Sequence, residues 1–231
     1  MCEDKSLPVV YSASELTIIF PAKNKHISDK ESEKNRAVIK SGGAYTSDGR
    51  VYIDKAALSH LLATDTKGVN RFYNNLDDED KLEQGYKRLA SASSVNREIS
   101  ERIQQPRDTL QKERLRDSEG CINALRDAPE LEKIREAEES RNRKEQANLK
   151  EKKIRAEGIS ACQLTGEPLD PNAHAHHMER QADNPRKATD LKNIIVVNPS
   201  PHGEVHKAGA ETPEELSALC ASKGWNDPTK S

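Results

Sequence analysis

Apolar positions come in short bursts separated by long polar stretches, and the bursts mark the elements. Leu16-Thr17-Ile18-Ile19-Phe20 reads as a strand, and so does Val51-Tyr52-Ile53, which follows the turn signals Gly42-Gly43 and Asp48-Gly49. Residues 54–63 predict a short helix. Residues 79–91 predict another, because Leu82, Tyr86 and Leu89 recur at spacings of four and three. Phe20, Phe72 and all five tyrosines precede position 87. Large rings dominate core burial, so residues 1–90 read as a small α+β domain with its own core.

From about residue 94 the pattern turns helical and polar. Val95, Ile99 and Ile103 share one face, Pro106 interrupts, and Leu110, Leu115, Ile122 and Leu125 follow before Pro129. Residues 132–157 carry 16 charges in 26 positions, with only Ile134, Leu149 and Ile154 large and apolar. Pairs such as Glu139 and Arg143 have the i,i+4 spacing that supports a solvated helix. No sustained heptad of apolar positions is present, as a coiled coil requires. Residues 91–157 therefore read as a charged helical linker or arm, through which a protein partner or a second copy of the chain would dock.

Gly158 ends the charged run. Residues 158–231 hold the densest apolar stretch, Ile194-Ile195-Val196-Val197, and a well-marked last helix. Thr212 is its cap, Pro213 its first residue and Glu215 the other half of a capping box. Leu216 and Leu219 face the core, and Gly224 is the stop. The expected class is α+β, mostly helical, in three parts: residues 1–90, 91–157 and 158–231.

Composition narrows the function classes. Over 231 residues the hydrophobic share is 33% and the charged share is also 33%, so the cores must be small. The 37 basic residues nearly cancel the 39 acidic ones, leaving a formal charge of -2, so overall charge gives no reason to bind nucleic acid and any such binding must be local. No apolar run approaches the roughly 20 residues of a membrane span. The opening MCEDKSLPVVYSASE has no basic start followed by an apolar stretch, so no secretory signal is expected. Cys2, Cys121, Cys162 and Cys220 are widely spaced and form no CxxC pair, which fits a reducing cytoplasm.

The chemistry concentrates in one place. His174, His176, His177, His202 and His206, five of the seven histidines, fall within 33 residues. Imidazole is the commonest metal ligand and a general base near neutral pH. His202 and His206 are four apart, one turn on a helix, and are able to grip one ion. His176 and His177 are adjacent, so in an extended segment they point to opposite sides and can serve different tasks. Asn193 opens a probable strand nine residues before His202.

The text A-H176-H177-M followed by N193-I-I-V-V-N-P-S-P-H202-G-E-V-H206 resembles the HNH endonuclease family, with its ββα-metal fold. The doubled histidine is most similar to the DNase domains of colicins and pyocins. The resemblance covers about residues 159–209. It implies that His177 is the general base and that Asn193 holds that imidazole through its side-chain carbonyl. It also implies that His176, His202 and His206 bind one divalent metal (Mg²⁺, Mn²⁺, Ni²⁺ or Zn²⁺), a Lewis acid on the scissile phosphate. The substrate implied is DNA, with Arg180, Arg186, Lys187 and Lys207 as phosphate contacts. The context implied is a prokaryotic or phage defence system, with an ATPase or sensor as partner. The sequence departs from the family where many members hold a structural zinc with two cysteine pairs: Cys162 is followed by Thr165, and the second pair falls on Asn198 and Pro201. No four-cysteine zinc is expected, and His174 matches no catalytic position. The rival expectation is a non-catalytic helical interaction or adaptor protein whose histidine site is structural or degenerate.

Overall fold

The structure is a computed structural model and describes residues 9–230, the Arg186 side chain excepted; Cys2 and that side chain lie outside the described residues. It is mixed α and β and about 56% helical. The chain divides into two compact units, Met1–Ala137 and Glu138–Ser231.

The first unit opens with β1 (Val10–Ser12), then α1 (Asp29–Gly42), β2 (Gly43–Thr46) and β3 (Val51–Asp54). Helices α2 (Lys55–Leu61) and α3 (Thr66–Asn74) follow, then β4 (Lys81–Gln84), β5 (Lys87–Ser91), α4 (Ala92–Gln104) and α5 (Thr109–Arg126). The strands form one antiparallel sheet in the order β1-β2-β3-β5-β4. Ser28 begins α1 with a complete capping box to Glu31. At the other end of α1, the backbone passes so close to its neighbours that Gly43 has no room for a side chain: a Cβ there would stand 2.6 Å from the Ile39 carbonyl oxygen and 2.7 Å from Leu125 Cδ2.

Ile39, Ile53, Leu58, Leu61, Leu62, Ile99, Leu115, Ile122 and Leu125 are fully buried in one core. Asp117 of α5 is a buried polar tie across it. It accepts from Ser32 Oγ at 3.1 Å and Asn35 Nδ2 at 2.7 Å, with the Arg36 guanidinium 3.6 Å away. Each buried polar atom in this group thus has a partner.

Three expectations change here. Residues 16–20 are not a strand. Leu16 is buried and Ile18 and Phe20 pack on the core, but the segment pairs with no other strand. Its alternation is that of an extended chain lying on a helix, with the Phe20 ring under Arg36 and Lys40 of α1. The expected helix at 79–91 is the β4–β5 hairpin. Leu82 and Leu89, spaced like two turns of helix, face each other across the ladder, and Gly85, at φ 58°, makes the tight turn. Finally, residues 91–157 do not form one solvated arm, because α4 and α5 carry buried Val95, Ile99, Leu115 and Ile122 into the first core.

Helix α6 (Pro129–Gln146) runs across the division between the units and opens with Pro129 at its first position. The second unit continues with α7 (Leu149–Glu157), β6 (His174–His177), β7 (Ile194–Val197), α8 (Pro199–Ala208) and α9 (Pro213–Lys223). All four residues of β7 are buried. Leu164, Ile195, Val197, Val205, Leu216 and Cys220 form the core, with Trp225 packed against it. Helix α9 matches its sequence signals in full: Thr212 and Glu215 form both halves of a capping box, and Gly224 terminates it at φ 67°.

Candidate metal centre

Strand β6 pairs antiparallel with β7, setting His176 opposite Ile195 and His177 opposite Ile194. Side chains alternate across a strand, so His174 and His176 share one face and His177 takes the other. Helix α8 starts directly after β7, and its spacing of four sets His202 and His206 one turn apart. The structure brings His176, His202 and His206 together, their ligand atoms all within 4.8 Å of one another. His206 Nε2 is 3.1 Å from His202 Nε2. The His176 ring meets the edges of both partners, at centroid distances of 5.3 and 5.2 Å. His174 is exposed and stacks on His202 at 4.7 Å.

The trio fits a metal ion. His176 is 8% exposed, and its Nε2 is buried without a hydrogen-bond partner, an arrangement that normally costs stability unless something fills it. Nitrogens bound to one tetrahedral zinc at ~2.0–2.1 Å stand roughly 3.3 Å apart, and the His202–His206 pair already has that separation. Burial, together with neighbouring His202, His206 and His177, pushes the His176 imidazole down to about 4. Burial, with His206 and His174, lowers His202 as well. Both shifts favour the neutral ring, the form that ligates a cation. Three imidazoles and an open side suit zinc or nickel by ligand softness.

His177 is half-buried, and its Nε2 lies 2.9 Å from the Ala188 carbonyl oxygen. A carbonyl only accepts, so Nε2 carries a proton, and in the neutral ring the lone pair is on Nδ1. The expected Asn193–His177 bond is absent. Asn193, 5% exposed, instead ties the loop between the strands: its Oδ1 accepts from the Glu179 N–H at 2.8 Å, and its Nδ2 donates to the carbonyls of Glu179 at 3.0 Å and Lys187 at 3.3 Å. It thus fixes the segment that presents Ala188. Its influence on His177 runs through the backbone, which residue spacing alone does not reveal.

The histidines open onto a cleft of about 470 Å³ shared with Arg180 and Glu211. Arg180 pairs with Glu211 at 2.9 Å, Lys187 pairs with Glu179, and Lys207 is exposed on α8 beside His206.

Several supports were not anticipated from the sequence. The buried Lys153 ammonium donates to the Leu191 carbonyl at 2.9 Å and pairs with Glu157. Gln163 extends the far edge of β7, donating its N–H to the Val196 carbonyl and accepting the Val196 N–H at its side chain. Cys162, with its neighbours Thr165 and Asn198, is held by hydrogen bonds. Its sulfur accepts from the Asn198 N–H at 3.4 Å, and the Asn198 side chain pins the Pro168 carbonyl and the Asp170 N–H.

These elements define a small two-stranded sheet backed by a helix, carrying a three-histidine cluster able to hold a metal. No known protein family, curated protein or solved structure matches the chain.

Proposed function

We propose that the second unit is a metal-dependent endonuclease of the HNH type that hydrolyses DNA phosphodiester bonds. The observation that carries this reading is the division of labour between adjacent histidines: His176 joins the trio with His202 and His206, whereas His177 is held off it by its Nε2–H bond to the Ala188 carbonyl. A metal ion held by His176, His202 and His206 would supply Lewis acidity to the phosphate and its departing oxygen.

The chain's own residues supply the rest. His177 Nδ1 takes a proton from the attacking water as its oxygen bonds to phosphorus and the bond to the 3′ oxygen breaks. The Ala188 carbonyl keeps the other ring proton on Nε2 and steadies the imidazolium that forms. Asn193 holds the loop that presents this carbonyl, and is therefore a positioning residue. Arg180, Lys187 and Lys207 meet phosphates of the substrate, with Arg180 and Lys187 exchanging their carboxylate partners for DNA.

Plasmid nicking with Mg²⁺, Mn²⁺, Ni²⁺ or Zn²⁺ tests the proposal. The expected result is metal-dependent nicking that drops about a hundredfold or more in His177→Ala and is lost in His202→Ala. Undiminished nicking in His177→Ala removes the assigned base. Metal binding without nicking under any of these ions favours a structural histidine site in an interaction protein.

A further inference from the structure

We infer that α2, α3 and the β4–β5 hairpin form a winged helix-turn-helix that docks duplex DNA, with α3 as the reading helix. The inference concerns the first unit and does not depend on the chemistry proposed for the second.

The geometry begins with the turn. Helices α2 and α3 are joined by Leu62-Ala63-Thr64-Asp65, and Ala63 is the only non-glycine residue at positive φ (47°) among the described residues. A short turn with one left-handed residue folds two helices against each other. Leu58 and Leu62 on one side and Val69 and Phe72 on the other lock the pair into the core. Asp65 caps α3, accepting from the Gly68 N–H at 2.8 Å.

What remains of α3 is an outward face of Thr66, Lys67, Asn70, Arg71 and Asn74, all exposed. It carries no carboxylate. Lys67 and Arg71 form no ion pair among the described residues; they border a groove that also holds Arg97 and Arg107 beside Glu98 and Glu101, with Glu98 paired to Arg102. Arg and Lys pair with guanine edges and with phosphates, and Asn pairs with adenine. An α-helix of this kind fits the major groove.

The strand order adds the wing. Strand β3 leads into α2, and β5 returns beside β3 with β4 at the sheet edge, so the hairpin following α3 projects next to it. Its tip holds Tyr86, which is fully exposed, followed by exposed Lys87 and by exposed Arg88, which pairs with Glu83 across the hairpin at 3.5 Å. An aromatic ring at a hairpin tip with no packing partner has no role in the core. Thr66 and Asn70 of α3 line one groove of about 420 Å³ together with Tyr86 and Arg88 of the hairpin, so the helix and the wing bound a common surface. Asp54 also lines that groove, but its carboxylate is engaged in capping α2 at the Ala56 N–H. At the N-terminal end of α3 the Asp65 carboxylate is engaged by the Gly68 N–H, and the acidic Asp77, Asp78 and Glu79 follow the C-terminal end, away from the groove. Lys67 and Arg71 on the helix and Lys87 on the wing suit a polyanion, and the helix-plus-wing shape suits a duplex.

The test is fluorescence anisotropy with the full chain and a random-sequence DNA duplex in EDTA, so that cleavage and metal binding do not contribute. The expected result is salt-dependent binding that weakens about tenfold or more in Lys67→Ala/Arg71→Ala, with the log–log salt slope reduced by about 2. Tyr86→Ala, at an exposed tip that folding does not need, weakens binding severalfold. Circular dichroism checks that both variants are folded. Absence of duplex binding at low salt, tighter binding to RNA or single strands than to duplex, or wild-type affinity in both variants would each overturn the inference. A nicking-dead but duplex-binding protein would leave it standing, and the reverse result would remove it alone.

Discussion

Replacing His176 with leucine sets two opposing consequences of one buried ring against each other. The ring is 8% exposed and its Nε2 has no hydrogen-bond partner. A buried polar atom in that state costs about 1–3 kcal/mol. Leucine has a similar volume and no polar atom, and the position faces an apolar sheet partner, Ile195. In EDTA the variant should therefore be more stable than the wild type by about 1–2 kcal/mol. With zinc at about a hundred times its dissociation constant, the wild type gains about 2.7 kcal/mol, whereas a site reduced to His202 and His206 gains little. The order of stability should invert on adding metal. Urea unfolding followed by Trp225 fluorescence reads this directly, because Trp225 is the single tryptophan and packs on the second unit's core. If His176→Leu is the less stable protein in EDTA, the ring is not a strained vacancy in a ligand set. If zinc stabilises variant and wild type equally, His176 is not a ligand.

Other outcomes follow from the same structure. In EDTA the His176 imidazole titrates at about 4 when folded, against an ordinary 6.5. The unfolded chain thus takes up the proton first as pH falls. Stability of the second unit should be fully present above pH 6.5 and decline by up to about 3 kcal/mol on the way to pH 4, and His176→Leu should flatten that profile in Trp225-monitored unfolding. Asn193→Ala removes three part-buried hydrogen bonds to the loop between the strands and should cost about 2–3 kcal/mol; the accompanying fall in nicking should appear as a lower kcat with its pH dependence displaced, since His177 loses its fixed partner. Retention of the wild-type pH–rate profile would show that the loop does not position the base. Gly43→Ala forces a methyl group against the Ile39 carbonyl and the Leu125 side chain and should destabilise the first unit by about 1–3 kcal/mol, seen as an earlier circular-dichroism transition; an unchanged midpoint would mean that the α1–β2 junction relaxes freely.

Local signals were legible wherever the chain interacts mainly with itself. The α9 helix is spelled out by Thr212, Pro213, Glu215 and Gly224, because capping and termination act within a few residues. The His202–His206 pair was legible for the same reason, since four residues make one helical turn. The histidine trio required one further step, the strand carrying His176, and the dense Ile194–Val197 run indicated its partner. Periodicity failed where two geometries share a spacing. Leu82 and Leu89 fit one helix face or one cross-strand pair, and Gly85 together with the neighbouring β3 decides for the strand. Helices α4 and α5 look solvated along the sequence because so much of their surface is charged, yet their few large residues are the ones buried against α1 and the sheet. Residue types and spacing marked an imidazole cluster, and the family resemblance singled out His176, His202 and His206 within it. Only the tertiary structure decided that Asn193 acts on a loop backbone, that the His177 ring meets the Ala188 carbonyl, and that Thr66 and Asn70 of α3 share a groove with Tyr86 and Arg88 of the hairpin. Those relations run between segments far apart in the chain or through main-chain atoms, which carry no residue identity to read.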